Sequence, residues 1–262
     1  MTNLFARTLC AALLVSAVPA AALAAPAEGS GSATVSSAGV SEELRSKYEI
    51  PASGRFVLVD AASAQLFMIE DGRVQDKMRV IVGKPTAATP VLKSKIYAAT
   101  LNPYCHVPTD LARSIIAPRV LKDGMTYLRE RGYEVVSDFN GGRILDPESV
   151  NWTAVADGQE KVYVRQLPGP ANSMGEMKFA FPNAEGIYLH DTPRKELFAE
   201  AARNLSAGCV RLEDADRLAK WLLGRNPSVS SSAPEQEVAL AAPVPISITY
   251  MDTTARMQLA GL

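Results

Sequence analysis

From Arg55 onward the hydrophobic pattern of the chain has a period of two residues, and this feature constrains the fold more than any other. "RFVLVD" and "QLFMIE" are separated by four small residues at 61–64, which predicts a β-hairpin. Asp71–Gly72 is a strong signal for a two-residue turn, and "RVQDKMRVIVG" follows it as the next predicted strand. This stretch is therefore predicted to be a β-meander.

Further strands are predicted downstream, namely "VLKSKIYAATL", "KVYVRQL", "MKFAF", "GIYLHD" and "VPISITYMD". Residues 105–160 have helical spacing, broken by Pro118 and Gly124, and predict an inserted helical lid subdomain. A helix is predicted after Cys209, where four apolar residues share one face. They are Ala215, Leu218, Ala219 and Leu222. The predicted fold class is mainly β with α insertions, a sandwich-like or barrel-like set of strands with this helix packed on it.

Residues 1–24 have the organisation of a secretory signal peptide. Arg7 is their only charge, a short apolar core follows, and "ALA" at 22–24 is a small-x-small cleavage site. The apolar run is too short to span a membrane, although an uncleaved N-terminal anchor is the alternative. We expect export to the periplasm, cleavage, and no stable membrane insertion afterwards. Residues 25–53 are predicted to be a linker with a short helix capped by Ser41.

Charge and cysteine content argue against two classes of function. The net charge is −1 at pH 7, without the clustered basic excess that nucleic-acid binding needs. Beyond the leader the chain has two cysteines, Cys105 and Cys209, and two histidines, His106 and His190. No C-x-x-C or H-x-x-x-H spacing exists, so neither zinc nor another metal is predicted. A monomer is expected by default.

The stretch "LSAGCVRLED" places Cys209 after a glycine and just before the predicted helix. A thiol acyltransferase needs a nucleophile, a base and donors for an oxyanion. Cys209 is the candidate nucleophile, and His190, at the end of a predicted strand, is the candidate base. The N–H groups of Gly208 and Cys209 are candidate oxyanion donors. Arg211 is a candidate for stabilising a thiolate or oxyanion, or for binding a substrate carboxylate.

The residues alone leave structural alternatives open. Cys209 before a helix is also typical of a packed small hydrophobe. Two cysteines in an exported chain also suit a Cys105–Cys209 disulfide. His190 has an ordinary explanation as a structural strand-end histidine, and Arg211 as a solvated residue at the start of a helix.

The spacing His-x15-Ser-x-Gly-Cys-Val-Arg, from His190 to Arg211, resembles the L,D-transpeptidase catalytic domain of the YkuD family. "IYLHDTP", "QLPGPANSMGEMKF", "VIVGKPTAATPV" and "NPYCHVPTDLAR" resemble it too, in the branch with an inserted lid. The resemblance covers residues 54–250, which leaves 251–262 as a predicted tail. Ala207 stands where many members have histidine, and Cys105 and His106 stand where the branch has tryptophan and asparagine.

The resemblance implies a role for each matching residue. Cys209 matches the acylated nucleophile and His190 its general base, with Gly208 and Cys209 as oxyanion donors. Ser206 and Arg211 match positions that shape the site, and the lid matches a flap over the substrate groove. What orients His190 is left open between Asp191 and a backbone carbonyl. We also expect Cys209 to ionise more readily than a free thiol.

The implied function is periplasmic 3→3 cross-linking of peptidoglycan through a cysteine thioester, without metal or organic cofactor. The implied partners are stem peptides, with a tetrapeptide as donor and a second stem or a protein amine as acceptor. Water, a free D-amino acid or an outer-membrane protein as acceptor would use the same chemistry, giving a carboxypeptidase, an exchange enzyme or a protein-anchoring enzyme. An alternative of another class is a non-catalytic wall-binding protein with a Cys105–Cys209 disulfide.

Overall fold

The computed structural model describes residues 39–228 and 233–260, so the predicted leader lies outside the described residues. No helix within these ranges is long and apolar enough to cross a membrane. The strands in these ranges are β1 (Arg55–Asp60), β2 (Gln65–Glu70), β3 (Arg73–Gly83), β4 (Leu92–Leu101), β5 (Cys105–Val107), β6 (Tyr133–Val136), β7 (Ile144–Leu145), β8 (Tyr163–Gln166), β9 (Met177–Ala180), β10 (Tyr188–His190), β11 (Asn204–Ser206), β12 (Val210–Leu212) and β13 (Gln236–Thr249). The α-helices there are α1 (Glu42–Tyr48), α2 (Thr109–Leu111), α3 (Ala117–Asp123), α4 (Thr126–Glu130), α5 (Trp152–Ala156), α6 (Ala215–Leu223) and α7 (Thr253–Ala260).

Nine strands of the described chain form one large sheet, in the order β11-β3-β12-β10-β9-β4-β13-β1-β2. β3 is long enough to pair with β2 through its first residues and with β12 through Val80 and Ile81. The pairings therefore return on themselves in a ring, as in a barrel or a sandwich whose layers share a strand. The predicted hairpins are confirmed, and so is the predicted fold class, mainly β with helices.

The main hydrophobic core lies between the large sheet and α6. Leu189 of β10 and Val210 of β12 are fully buried in it, and α6 contributes the four apolar residues predicted to share one face. Asp214 caps the start of α6, and Gly224 ends it in the left-handed conformation. Because Leu189 and Val210 are chain neighbours of His190 and Cys209, packing of the core fixes the backbone beside both residues.

A second core lies against β1 and β2 and corrects the prediction for the C-terminus. Residues 251–262 are predicted as a tail, but α7 forms there, with Ala255 and Leu259 buried against Leu44 of α1. The sequence "TTARMQLA" has little helical periodicity of its own. Such a short helix is stabilised by tertiary packing and not by its own sequence, so the local pattern does not predict it. The predicted Ser41 cap of α1 is confirmed.

Residues 105–166, called the lid below, contain a small sheet as well as helices. Within the described residues this sheet has four strands in the order β5-β8-β6-β7. Helices α2 to α5 share with it a core of its own, which includes Leu128 and Val164. The prediction of a helical insert ending at 160 is corrected, because "KVYVRQL" supplies β8, which pairs with β5 and β6. Strands as short as β5 carry too little alternation to be recognised.

Candidate active site

Cys209 lies in a three-residue loop between β11 and β12, which both pair with β3. One pairing is parallel and the other antiparallel, so the chain has to reverse direction within residues 207–209. Gly208 makes this turn at φ +124°, a conformation that L side chains rarely adopt. A Cβ at this position would also lie 3.3 Å from Ile187 Cδ1. The glycine before Cys209 is therefore required by the turn.

The pairing of β10 with β12 brings the candidate residues onto one face. The two strands are parallel, with Leu189 opposite Val210 and His190 opposite Arg211. Alternate side chains of a strand point to opposite faces, so Leu189 and Val210 face the core. His190 and Arg211 face the other side, and so does Cys209, two residues before Arg211. Base, thiol and cation thus share one surface of the sheet.

This surface opens into a cavity of about 360 Å³ between the large sheet and the lid. The sheet side includes His190, Cys209 and Arg211, and the lid side includes His106, Leu111 and Phe139. The rings of His106 and Phe139 stack with their centroids 4.6 Å apart. The lid therefore covers the thiol with a largely apolar wall.

His190 is buried, and its ring is oriented by the main chain. Its Nδ1 lies 2.5 Å from the carbonyl oxygen of Asp191. Because a carbonyl only accepts hydrogen bonds, Nδ1 carries the proton and Nε2 keeps a free lone pair. Burial lowers the pKa of His190 to about 4. The backbone carbonyl of Asp191 is thus the group that orients His190.

The Asp191 carboxylate has a different set of contacts. It accepts from the backbone N–H of Glu176 at 3.0 Å and from Lys195 Nζ at 2.6 Å. Gly175 lies against it at φ +63°, and a Cβ there would overlap the carboxylate. The loop before β9 and the segment after β10 are thereby tied together next to His190.

The thiol of Cys209 is not acidified in this site. Burial raises its pKa, and a hydrogen bond from the Tyr188 backbone and the charge of Arg211 only partly oppose this. The expectation of an easily ionised Cys209 is therefore corrected, because desolvation outweighs the nearby positive charge. The resting pair consists of a neutral thiol and a neutral imidazole.

Ser206 organises the backbone of the loop. Its Oγ donates to the carbonyl of Cys209 at 2.6 Å and accepts from the Gly208 N–H at 3.1 Å. The Gly208 N–H, expected to face an oxyanion, is thus engaged inside the loop, which corrects that expectation. The Cys209 N–H has no acceptor among the residues that the structure describes.

The profile of the YkuD family, described as the L,D-transpeptidase catalytic domain, matches residues 54–246. This chain belongs to the YkuD L,D-transpeptidase family. The matched region contains the large sheet through most of β13, the lid and every predicted site residue.

Individual L,D-transpeptidases are similar to the chain over shorter or more divergent stretches. A Haemophilus influenzae protein named "Putative L,D-transpeptidase" is 36% identical over 174 residues, which are 66% of this chain and 35% of the relative. The chain thus spans about a third of that relative's length. The L,D-transpeptidase structure from Mycobacterium smegmatis has 16% identity over 75% of this chain and 59% of its own, with a TM-score of 0.36. L,D-transpeptidase 3 from Mycobacterium tuberculosis has 12% identity over 75% and 61%, with a TM-score of 0.38.

Cys105 is a second thiol next to the proposed nucleophile. It lines the same cavity as Cys209, and both are free thiols. The alternative disulfide is therefore not formed in the structure. Burial, with a smaller contribution from Cys209, raises the pKa of Cys105 to about 11. A thiol this weakly acidic is a poor nucleophile at neutral pH.

The two cations of the cavity differ in their pairing. Lys178 donates to the Glu235 carboxylate at 2.9 and 3.0 Å. Arg211 is partly buried and, among the described residues, has no ion-pair partner, and its Nε lacks an acceptor. A guanidinium without a protein anion leaves a binding position for a carboxylate group.

Two residues contact the loop that contains Cys209, although nothing in the sequence marks them as part of the site. The backbone of Tyr188 forms a hydrogen bond with Cys209, and the Thr89 hydroxyl donates to the carbonyl of Gly208. Thr89 lies within "VIVGKPTAATPV", a stretch that resembles the family, but the resemblance assigns it no role. Only the pairing of distant strands brings both residues to Cys209.

Proposed function

We propose that this protein is a cysteine-dependent L,D-transpeptidase that joins peptidoglycan stem peptides by 3→3 links in the periplasm. The observation that carries the proposal is the register of β10 against β12, which gathers Cys209, His190 and Arg211 on one face under the lid. Family membership supplies the class of reaction, and this geometry supplies a nucleophile, a base and a cation for it.

In the first half-reaction, Cys209 Sγ attacks the carbonyl carbon of the third residue of a tetrapeptide stem. His190 Nε2 takes the thiol proton as the C–S bond forms, and the tetrahedral oxyanion faces the Cys209 N–H. Collapse of the intermediate breaks the C–N bond to the terminal D-alanine. The proton on His190 passes to the departing amine, and a thioester remains on Cys209.

In the second half-reaction, an amine of another stem attacks the thioester carbonyl and forms a new amide bond. His190 takes a proton from this amine and returns one to the departing sulfur of Cys209. The enzyme thus regains its neutral pair. The proton on Nδ1 stays hydrogen-bonded to the Asp191 carbonyl oxygen throughout, which keeps the ring in one tautomer.

Arg211 supports the reaction through charge. A guanidinium in a partly buried cavity binds a carboxylate more strongly than one in water. We assign to it a carboxylate of the donor stem, which would hold the scissile carbonyl beside Cys209. Export through the leader at residues 1–24 belongs to the same proposal, because the cell-wall substrate lies outside the cytoplasm.

Product analysis tests the proposal. The protein is incubated with purified disaccharide tetrapeptides, and the products are separated and sequenced by mass spectrometry, beside Cys209→Ala and the matched control Cys105→Ala. We expect 3→3 dimers and free D-alanine from the wild type and Cys105→Ala, and neither from Cys209→Ala. Tripeptides alone would mean that water is the acceptor and would contradict the transpeptidase assignment.

A further inference from the structure

Thr89 makes a buried bridge between two parts of the backbone that the proposed mechanism leaves unexplained. Its side chain lies between the end of β3 and the Cys209 loop and is 1% exposed. Its Oγ1 accepts from the N–H of Gly83 at 2.8 Å and donates to the carbonyl of Gly208 at 2.7 Å. One hydroxyl therefore links the long strand of the large sheet to the peptide group that precedes the nucleophile.

The bridge determines where the N–H of Cys209 points. The C=O of Gly208 and the N–H of Cys209 belong to the same trans peptide group, so they point in opposite directions. Because Thr89 holds the carbonyl on the buried side, the N–H points away from Thr89. This N–H has no acceptor among the described residues.

The peptide plane needs such an external restraint. Gly208 has no Cβ, so its own torsion angles restrict the plane less than those of any other residue would. Ser206 holds the following carbonyl, that of Cys209, at 2.6 Å. Thr89 and Ser206 thus fix the two peptide groups on either side of the Cys209 Cα.

Thr89 is itself held firmly. A Cβ on Gly83 would overlap the carbonyl of Ala87, so the chain between Gly83 and Thr89 folds tightly on itself. Tyr250, one residue after β13, donates its hydroxyl to the Thr89 carbonyl at 2.8 Å. The bridge is therefore anchored to the large sheet from two sides.

We propose that Thr89 is a positioning residue that aims the Cys209 N–H at the oxyanion of the acyl-transfer steps. The inference rests on the proposed function of Cys209 as an acyl nucleophile. A positioning role of this kind affects two reactions of the Cys209 sulfur differently. Acylation passes through a tetrahedral oxyanion, whereas alkylation by iodoacetamide displaces iodide at carbon and forms no oxyanion. Loss of the Thr89 hydroxyl should therefore slow the first reaction and spare the second.

The test compares Thr89→Val, which keeps the shape without the hydroxyl, with Thr89→Ser, which keeps the hydroxyl. Thr100→Val serves as a control at another buried threonine. Single-turnover acylation by a tetrapeptide donor is followed by intact mass, and alkylation of Cys209 by peptide mass. For Thr89→Val we expect acylation to fall about 10- to 100-fold, with alkylation within about twofold of wild type. Thr89→Ser and Thr100→Val should acylate within about threefold of wild type.

Acylation of Thr89→Val at the wild-type rate would overturn the proposal, and so would a parallel loss of acylation and alkylation. Thr89→Ala, which leaves room for a water, is measured alongside in case the valine variant does not fold. If neither folds, the bridge is structural and the proposal is wrong. A wild-type protein that is alkylated normally but never acylated would instead overturn the proposed function, and this inference with it.

Discussion

His190 is buried and Cys209 is half-buried, both in uncharged forms, and this state determines how acylation is expected to depend on pH. The pKa of His190 is lowered to about 4, so Nε2 is free to accept a proton at any higher pH. The pKa of Cys209 is raised, so the thiol stays protonated at neutral pH. The two groups therefore do not change charge across the neutral range, and in the proposed mechanism proton transfer is coupled to attack on the substrate.

We predict that the single-turnover acylation rate of the wild type varies by less than about threefold between about pH 5 and about pH 8. It should fall as the pH drops through about 4, because protonation of Nε2 removes the base. Stopped reactions analysed by intact mass would measure the profile. A limb centred near pH 6.5, the ordinary pKa of histidine, would contradict the account.

At the scale of residues, the sequence points to the proposed pair of His190 and Cys209 but not to its electrostatics. The spacing from His190 to Cys209 is visible in the sequence, as is the glycine that the turn requires. The sequence predicts a lowered pKa for the Cys209 thiol, but in the structure this pKa is raised. The prediction fails because burial is a property of the folded cavity and cannot be read from the residues around Cys209. The engagement of the Gly208 N–H by Ser206 likewise depends on loop geometry that no spacing encodes.

At the scale of elements, the loop before β9 contacts the Asp191 carboxylate, and the Asp191 carbonyl accepts from His190. Gly175 and Gly224 offer a matched pair of substitutions, since their φ angles are +63° and +69°. A Cβ on Gly175 would overlap the Asp191 carboxylate, whereas one on Gly224 would meet nothing within 4 Å. Alanine at either position brings the same backbone strain, about 1–2 kcal/mol.

We predict that Gly175→Ala lowers the acylation rate by about 10-fold or more, because Asp191 shifts and its carbonyl no longer orients His190. Gly224→Ala should destabilise the protein by the strain alone and leave the acylation rate unchanged. Urea unfolding and single-turnover acylation would be measured for both variants. Equal effects of the two substitutions on acylation would show that the Gly175 contact has no part in positioning.

The predictability of the elements follows their length and periodicity. β1 and β2 are continuous apolar runs, unlike the alternation predicted for them, because both of their faces are buried, and the Asp71–Gly72 turn joins β2 to the long strand β3, so local sequence specifies all three. The stripe on α6 is equally clear. β5, with three residues, exists because it pairs with the distant strand β8, and α7 exists because Leu259 packs in one core with Leu44 of α1. Their stabilising contacts are remote in sequence, so no window of the chain predicts them.

At the scale of the whole molecule, the lid and the large sheet have separate hydrophobic cores. Leu128 lies in the core of the lid and Leu218 in the core beneath α6, and the two clusters share no residue. The cavity at Cys209 lies where the two parts meet. We therefore expect the lid to loosen more readily than the sheet that holds the thiol.

We predict that Leu128→Ala raises amide hydrogen exchange mainly within the lid, whereas Leu218→Ala raises it across the large sheet. Each substitution removes a fully buried side chain, at a cost of about 2–5 kcal/mol in its own core. Hydrogen exchange read by mass spectrometry would locate the effects. Leu128→Ala should also slow acylation without reducing alkylation of Cys209. Uniformly raised exchange in both variants would show a single cooperative core instead.

Acylation of Cys209 by a peptidoglycan stem can be observed in a single experiment by intact-protein mass spectrometry. Wild type, Cys105→Ala and Cys209→Ser are each mixed with a tetrapeptide donor and quenched in acid. We expect an adduct with the mass of the donor less D-alanine on the first two proteins, as the proposed mechanism requires. It predicts no hydroxylamine-labile adduct on Cys209→Ser. A wild-type protein that stays unmodified, or an adduct that maps to Cys105, would contradict it.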